Sequence, residues 1–345
     1  MKAAVLTGPD RPFELVNVPD PVAGAGEVVA RVFACGAGLT IQHIRAGRTK
    51  VAYPRIIGHE IAAEIVEVGK DVADLDVSDP VTAYYYLTCG TCAWCLRDRE
   101  TLCDNFAGNV GKEIDGGYAQ YIKLPARSFI KLPDGLDHRG SPAEVGVIAD
   151  AIATPIKLLK KARIQPGETV AVIGAGGGLG LHMVMVADWA QAQVIAIDTN
   201  PEKFDACRSA GAAHLLDVGD ADLNEGIQDL TDGNGVDVVV DFVSSPHTLE
   251  AACRALGKGG RLAILGGGGR KDKFAASGDW IKGQEIEILG SKYATRSEVR
   301  EALELVARGD VWPVVTETYK LEDAEALHQR VEQGLITGRA AVIMD

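Results

Sequence analysis

Four cysteines crowd into one short segment, Cys89-x2-Cys92-x2-Cys95-x7-Cys103, with Gly90 easing the first turn. Thiolates at this spacing can close on one tetrahedral zinc without distorting a long stretch of chain, and four protein ligands leave no open position for a substrate. The expected role is therefore structural; an iron–sulfur site and a labile redox cluster are the rival readings. A second, dispersed set comprises Cys35 in ACGAG, His59 with Glu60 in IIGHE, and Asp150 in VIADA. Singly these have ordinary roles: Cys35 as core packing, His59 as a buried hydrogen-bonder, Asp150 as a helix cap. Together, a sulfur, an imidazole and a carboxylate would leave zinc one open position, as a catalytic Lewis acid requires.

A third group lies in TVAVIGAGGGLGLHMVMVADWAQAQVIAID, residues 169–198. An apolar run is followed by a glycine cluster (Gly174, Gly176, Gly177, Gly178 and Gly180, with Leu179 among them), a helix-length apolar segment, and a second apolar run closed by Asp198. The glycines admit a pyrophosphate to the backbone, and the following helix N-terminus offers free N–H groups to it. Asp198 can accept hydrogen bonds from the adenosine ribose hydroxyls. Its carboxylate would repel a ribose phosphate, and Thr199, Asn200 and Pro201 place no cation behind it, so NAD is expected over NADP.

These groups need elements to hold them. Residues 1–33, 61–69 and 78–86 alternate apolar and polar positions between Gly and Pro, so the first 150 residues read as mainly short antiparallel strands. Beyond residue 151 strands and helices alternate: strands are expected at 170–174, 194–198, 214–217, 236–243, 261–265 and 286–290, and helices at 202–210 and 246–256. Six such strands make an α/β unit with a doubly wound parallel sheet. From 297 the pattern is helical and then ends in an apolar run, 340–345. That tail, with Arg339, follows a sheet already complete and is expected to return to the first domain. The domains are thus 1–150 with 292–345, and 151–291.

The 345 residues suit two cores. Lys and Arg number 35 against 48 Asp and Glu, a net charge of −13, which argues against nucleic acid or anionic membranes as partners. No apolar run approaches the roughly 20 residues of a membrane helix, and the N-terminal MKAAVLTGPDRP has no signal-peptide core. A cytoplasmic protein acting on a small molecule is expected. Its seven cysteines then serve as ligands or buried apolar groups before disulfides, Cys207 and Cys253 among the buried ones.

The order and spacing of GHE at Gly58–Glu60, the four-cysteine lobe, the glycine turn at 174–180 and Arg339 resemble the zinc-containing medium-chain alcohol dehydrogenases over essentially the whole chain. The resemblance implies a chaperonin-10-like β catalytic domain carrying a structural zinc lobe at 89–103, a Rossmann dinucleotide-binding domain, and a homodimer or homotetramer. It implies NAD and two zinc ions per chain, one catalytic and one structural. Cys35, His59 and Asp150 fall on the catalytic ligands, Asp150 where many members have a third cysteine, and Glu60 on an acid that in some members moves in as a fourth ligand. Cys89, Cys92, Cys95 and Cys103 fall on the structural ligands. Asp198 and Lys203 match adenosine-ribose contacts, Arg339 a pyrophosphate contact, and Tyr85 a wall of the alcohol pocket. Leu265, closing a later strand, joins the cofactor set. The implied activity is reversible hydride transfer between NAD(H) and an alcohol, ketone or aldehyde.

The chain departs from the family pattern after Cys35. Ser or Thr two residues on, and then Asp, are usual; here stand Ala37 and Gly38. Ala37 cannot pass the alcohol proton, and Gly38 cannot brace the histidine. The relay histidine of many members would fall near Thr40, with His43 three residues further on. Three outcomes compete: Thr40, His43, Tyr85 or a water held by Glu60 moves the proton; or the enzyme reduces a conjugated C=C bond; or the zinc site is impaired and the protein mainly binds.

Overall fold

The protein is described by a computed structural model over residues 1–219, 222–267 and 273–344. The chain divides into two compact units, residues 1–153 with 294–345, and residues 154–293.

In the second unit six strands pair in parallel, in the order His214–Asp217, Gln193–Asp198, Thr169–Ile173, Val236–Asp241, Leu256–Ile264 and Glu287–Gly290. Central residues such as Val170, Val172, Val194, Val238 and Val240 are buried, as in parallel sheets covered on both faces. The chain order reverses between Thr169–Ile173 and Val236–Asp241, and the glycine turn leaves the first of these strands at that reversal. Such switch points hold ligands in open α/β sheets.

Two strand ends differ from expectation for local reasons. The strand expected at 261–265 begins at Leu256, because LGKGG bulges: Leu256 pairs with Val236, but Arg261 already pairs with Val238. Leu265 falls just past its end, its N–H donating to the Asp241 carbonyl at 3.3 Å. The strand expected to reach Val243 stops at Asp241, whose carboxylate accepts from the N–H groups of Val243 and Ser244, each at 2.8 Å.

In the first unit a sheet runs Phe129–Lys131, Pro80–Ala83, Glu60–Val68, Glu27–Ala37, Arg339–Ile343, Val315–Lys320, with Tyr121–Pro125 also paired to Glu27–Ala37. The segment expected as one strand at 78–86 is two, Pro80–Ala83 and Tyr86–Leu87. The last strand lies against Glu27–Ala37 with Ala340 opposite Ala37 and Val342 opposite Cys35. On the other side Gly36 stands opposite Glu60 and Cys35 opposite Ile61. Opposite residues share a face and successive residues alternate. Gly36, Glu60 and Arg339 therefore share one face, whereas Cys35, Ile61 and Val342 point into the apolar core.

Helices Leu39–Arg45 and Ala324–Glu332 are tied by buried polar groups. Tyr118 Oη lies 2.9 Å from His328 Nε2, His328 Nδ1 lies 2.8 Å from Gln42 Oε1, and Gln42 Nε2 donates to Glu332 at 2.6 Å. The chain is satisfied throughout if neutral His328 donates from Nδ1 and accepts from Tyr118. Burial, with the Arg45 charge adding to it, pushes the His328 pKa down to about 3. Among the described residues no helix is long and apolar enough to cross a membrane.

An unfolded histidine titrates near 6.5, so between that value and about 3 the unfolded chain binds the extra proton and stability falls as pH falls. His328→Gln removes this dependence. The stability advantage of wild type over the variant, measured by urea unfolding, is expected to be full at pH 7.5 and smaller by about 2 kcal/mol at pH 5.

Candidate metal centres and cofactor turn

The four-cysteine lobe is compact. Cys89 Sγ lies 3.9 Å from Cys95 Sγ and 3.5 Å from Cys103 Sγ, and Cys92 Sγ lies 3.5 Å from Cys95 Sγ and 3.9 Å from Cys103 Sγ. Sulfurs bound to one zinc at ~2.3 Å stand about 3.8 Å apart, so the donor set fits. Gly90 takes a positive φ of 74° at the first turn. The N–H groups of Thr91 and Cys92 reach Cys89 Sγ at 3.4 and 3.2 Å and pull its pKa down to about 5. Burial and the neighbouring thiols push Cys95 up to about 12. Backbone N–H groups lower Cys92 as well, whereas burial raises Cys103, so the lobe needs a cation to hold all four as thiolates.

The second group is buried. The ligand atoms of His59, Glu60 and Asp150 lie within 4.8 Å of one another, with His59 Nε2 3.7 Å from Asp150 Oδ2. Asp150 sits on a single π-helical turn, Ile148–Ile152, between helices Pro142–Val147 and Ala153–Ala162, a wide turn of the kind that marks functional positions. Burial pushes the Glu60 carboxyl up to about 8, Arg339 opposing and Asp150 adding to the rise. Neither Glu60 oxygen accepts a hydrogen bond. Their ligand atoms converge in a buried site, so His59, Asp150 and Glu60 fit a metal ion as an N, O, O set.

The thiol of Cys35 is not among the converging atoms. It lies on the opposite face of its strand, where a Cβ on Gly58 or Gly117 would come within 2.6 or 3.1 Å of it, and burial raises its pKa. Gly38 faces the cluster instead. A Cβ there would stand 2.5 Å from Arg339 Nη1 and 3.1 Å from Glu60 Oε1. Arg339, expected at a pyrophosphate, is buried with Nη2 3.1 Å from both Glu60 Oε1 and Asp150 Oδ2. Residue types alone do not reveal this pairing; strand parity counted back from the apolar run 340–343 does.

Tyr85 stacks on the His59 ring, centroids 4.1 Å apart. Thr40 is exposed at the start of helix Leu39–Arg45. His43, on the same helix, accepts at Nδ1 from Arg48 Nε at 2.8 Å, and Arg48 is held by both oxygens of Glu332 at 2.6 and 2.7 Å.

In the second unit the turn leads into helix Gly178–Trp189, whose N-cap Gly177 supplies no side-chain cap. The first N–H groups are therefore open to an anion. A Cβ on Gly180 would stand 2.0 Å from the Gly174 carbonyl oxygen, and one on Gly176 2.5 Å from Lys203 Cδ. Asp198 Oδ2 accepts from the Gly176 N–H at 2.8 Å and Oδ1 from the Asn200 N–H at 3.1 Å. Lys203 is buried beside it. The turn brings Gly176, Asp198 and Lys203 together as a preformed cradle.

Residues 24–134 match the family model described as "Alcohol dehydrogenase GroES-like domain", and residues 178–308 the one described as "Zinc-binding dehydrogenase". The chain is 35% identical to an alcohol dehydrogenase of Geobacillus stearothermophilus, over 98% of each chain. The chain belongs to the zinc-containing medium-chain alcohol dehydrogenases. Its fold agrees: the crystal structure of an alcohol dehydrogenase from Aeropyrum pernix superposes with a TM-score of 0.91 at 32% identity, covering 99% of this chain and 100% of that one. An acryloyl-coenzyme A reductase of Sulfurisphaera tokodaii is also similar, 29% identical over 99% of each chain.

Cys103→Ser is expected to release the lobe's zinc and lower the thermal midpoint by several degrees, without disturbing the parallel sheet of the second unit. Zinc analysis with thermal unfolding followed by circular dichroism checks both.

Proposed function

We propose that the chain catalyses reversible hydride transfer between NAD(H) and an alcohol, ketone or aldehyde. The observation that carries this reading is the buried group of one imidazole and two carboxylates with converging ligand atoms. His59, Asp150 and Glu60 hold the catalytic zinc, and the four cysteines hold the structural one. Bound there, zinc supplies Lewis acidity toward the substrate oxygen, and the nicotinamide supplies or accepts the hydride. Gly174–Gly180 and the open N-terminus of helix Gly178–Trp189 bind the pyrophosphate, and Asp198 with Lys203 holds the ribose. Tyr85 fixes the plane of the His59 ring by stacking on it. Ala37 offers no hydroxyl, so the proton leaves by way of Thr40 and His43, with Arg48 holding the His43 ring. The enzyme works in the cytoplasm as a homodimer or homotetramer.

A second reading is reduction of a conjugated C=C bond. It is favoured by the Arg339 guanidinium at the acid pair, by the missing hydroxyl at Ala37, and by similarity to the acryloyl-coenzyme A reductase. A panel of primary, secondary, cyclic and aromatic alcohols with NAD and NADP, and of enones with the reduced cofactors, separates the two. Turnover of alcohols supports the first reading; turnover of enones alone replaces it with the second.

His59→Ala is expected to lose turnover by about a thousandfold, as when a main transition-state contact is removed, while NADH fluorescence titration shows binding unchanged. Asp198→Gly should narrow the preference for NAD over NADP by about tenfold, roughly 1.4 kcal/mol of repulsion removed. An unchanged ratio of kcat/KM values would mean that the ribose is read elsewhere.

A further inference from the structure

Two buried acids, Glu60 and Asp150, stand side by side, and besides the proton they can share, two cations are candidates for their charge. One is the metal ion of the proposed function, and any competition between the two cations rests on that assignment. The other is built in: Arg339, itself only 5% exposed, lies 3.1 Å from both Glu60 and Asp150. Asp150 Oδ2 is at once the acceptor for Arg339 Nη2 and the oxygen 3.7 Å from His59 Nε2. A metal ion bridging His59 and Asp150 would therefore sit beside a guanidinium on the same carboxylate oxygen, and like charges a few ångströms apart in a buried site repel strongly.

The donor set adds to the conflict. Zinc is retained best by thiolate and imidazole, yet Cys35 is turned into the core and Gly38, which faces the cluster, has no side chain to donate. Nor could one be accommodated while Arg339 stays, since a Cβ at Gly38 would stand 2.5 Å from Arg339 Nη1. The four-cysteine lobe is the opposite case: four sulfurs already at zinc spacing, hydrogen-bonded to backbone N–H groups and to one another.

We propose that Arg339 and the metal ion are alternative cations for Glu60 and Asp150, so that this chain holds one zinc tightly in the cysteine lobe and exchanges the other. With the metal away, Arg339 neutralises the acid pair and keeps the site folded; with the metal bound, the guanidinium gives up Asp150.

The test uses the full chain loaded with zinc and dialysed against a mild chelator, with zinc counted by atomic emission. Wild type is expected to fall from two ions per chain to one. Arg339→Ala, titrated with zinc by calorimetry after the same treatment, is expected to bind the exchanging ion about tenfold or more tightly. Circular dichroism and retention of the tight zinc report folding, and Arg339→Met, which keeps the apolar stem, serves if the alanine variant does not fold. Equal affinity in wild type and variant, or two chelator-resistant ions in wild type, overturns the proposal and leaves the metal reading standing. Failure of a second zinc to bind either protein at millimolar concentration overturns the metal reading, and the proposal with it.

Discussion

A pair of buried acids is met by one guanidinium, and the β unit is arranged around that contact. Glu60 begins one strand, Asp150 sits on a π-helical turn, and Arg339 begins another strand. Register brings them together: Gly36 opposite Glu60 and Ala340 opposite Ala37 put the acid and the guanidinium on one face of Glu27–Ala37. The same face is kept bare at Gly36 and Gly38, where any Cβ would strike Glu60 or Arg339. Breaking such a group by removing one partner leaves a buried charge without compensation, at a cost of about 3–5 kcal/mol. The acid cluster is therefore a structural commitment of the sheet, whatever chemistry it serves.

The candidate sites of the two units differ in how far they are already shaped. The glycine turn is already shaped without a ligand: Gly180 packs on the Gly174 carbonyl and Asp198 is hydrogen-bonded to the turn's backbone. The cysteine lobe is likewise set at zinc spacing. The acid cluster is the exception, with unsatisfied Glu60 oxygens and an unsatisfied Arg339 Nε. Unsatisfied buried polar atoms are costly, and their concentration here sets this cluster apart from the two preformed sites.

Much of this was legible in the sequence, and the reasons differ by region. The parallel sheet declares itself through apolar runs buried on both faces and separated by helix-length segments. The cysteine lobe declares itself through spacing alone, because its ligands lie within one short stretch. His59, Glu60 and Asp150 were found as candidates by residue type. Cys35 shows the limit of that approach: a thiol beside a glycine has the right chemistry, but one step along a strand turns a side chain to the other face, and only the pairing of Cys35 with Ile61 and Val342 reveals which face it takes. The bulge at 256–260 and the early stop at Asp241 were hidden for a related reason, since both depend on partners distant in sequence. The chain Tyr118–His328–Gln42 left no local signal at all.

The strand Arg339–Ile343 lies between Glu27–Ala37 and Val315–Lys320, so the middle of the β unit's sheet is filled by residues about three hundred positions downstream of its neighbour. The second unit, by contrast, is one continuous segment, 154–293. On a ribosome the parallel sheet can be complete while the β unit still lacks its inner strand, with Ala34–Ala37 exposing an unpaired edge and Glu60 without the Arg339 cation. Long-range pairings of this kind form late, and an open edge in the meantime is a template for wrong partners. The strand Arg339–Ile343 thus closes the sheet and brings Arg339 to the acid pair in one event.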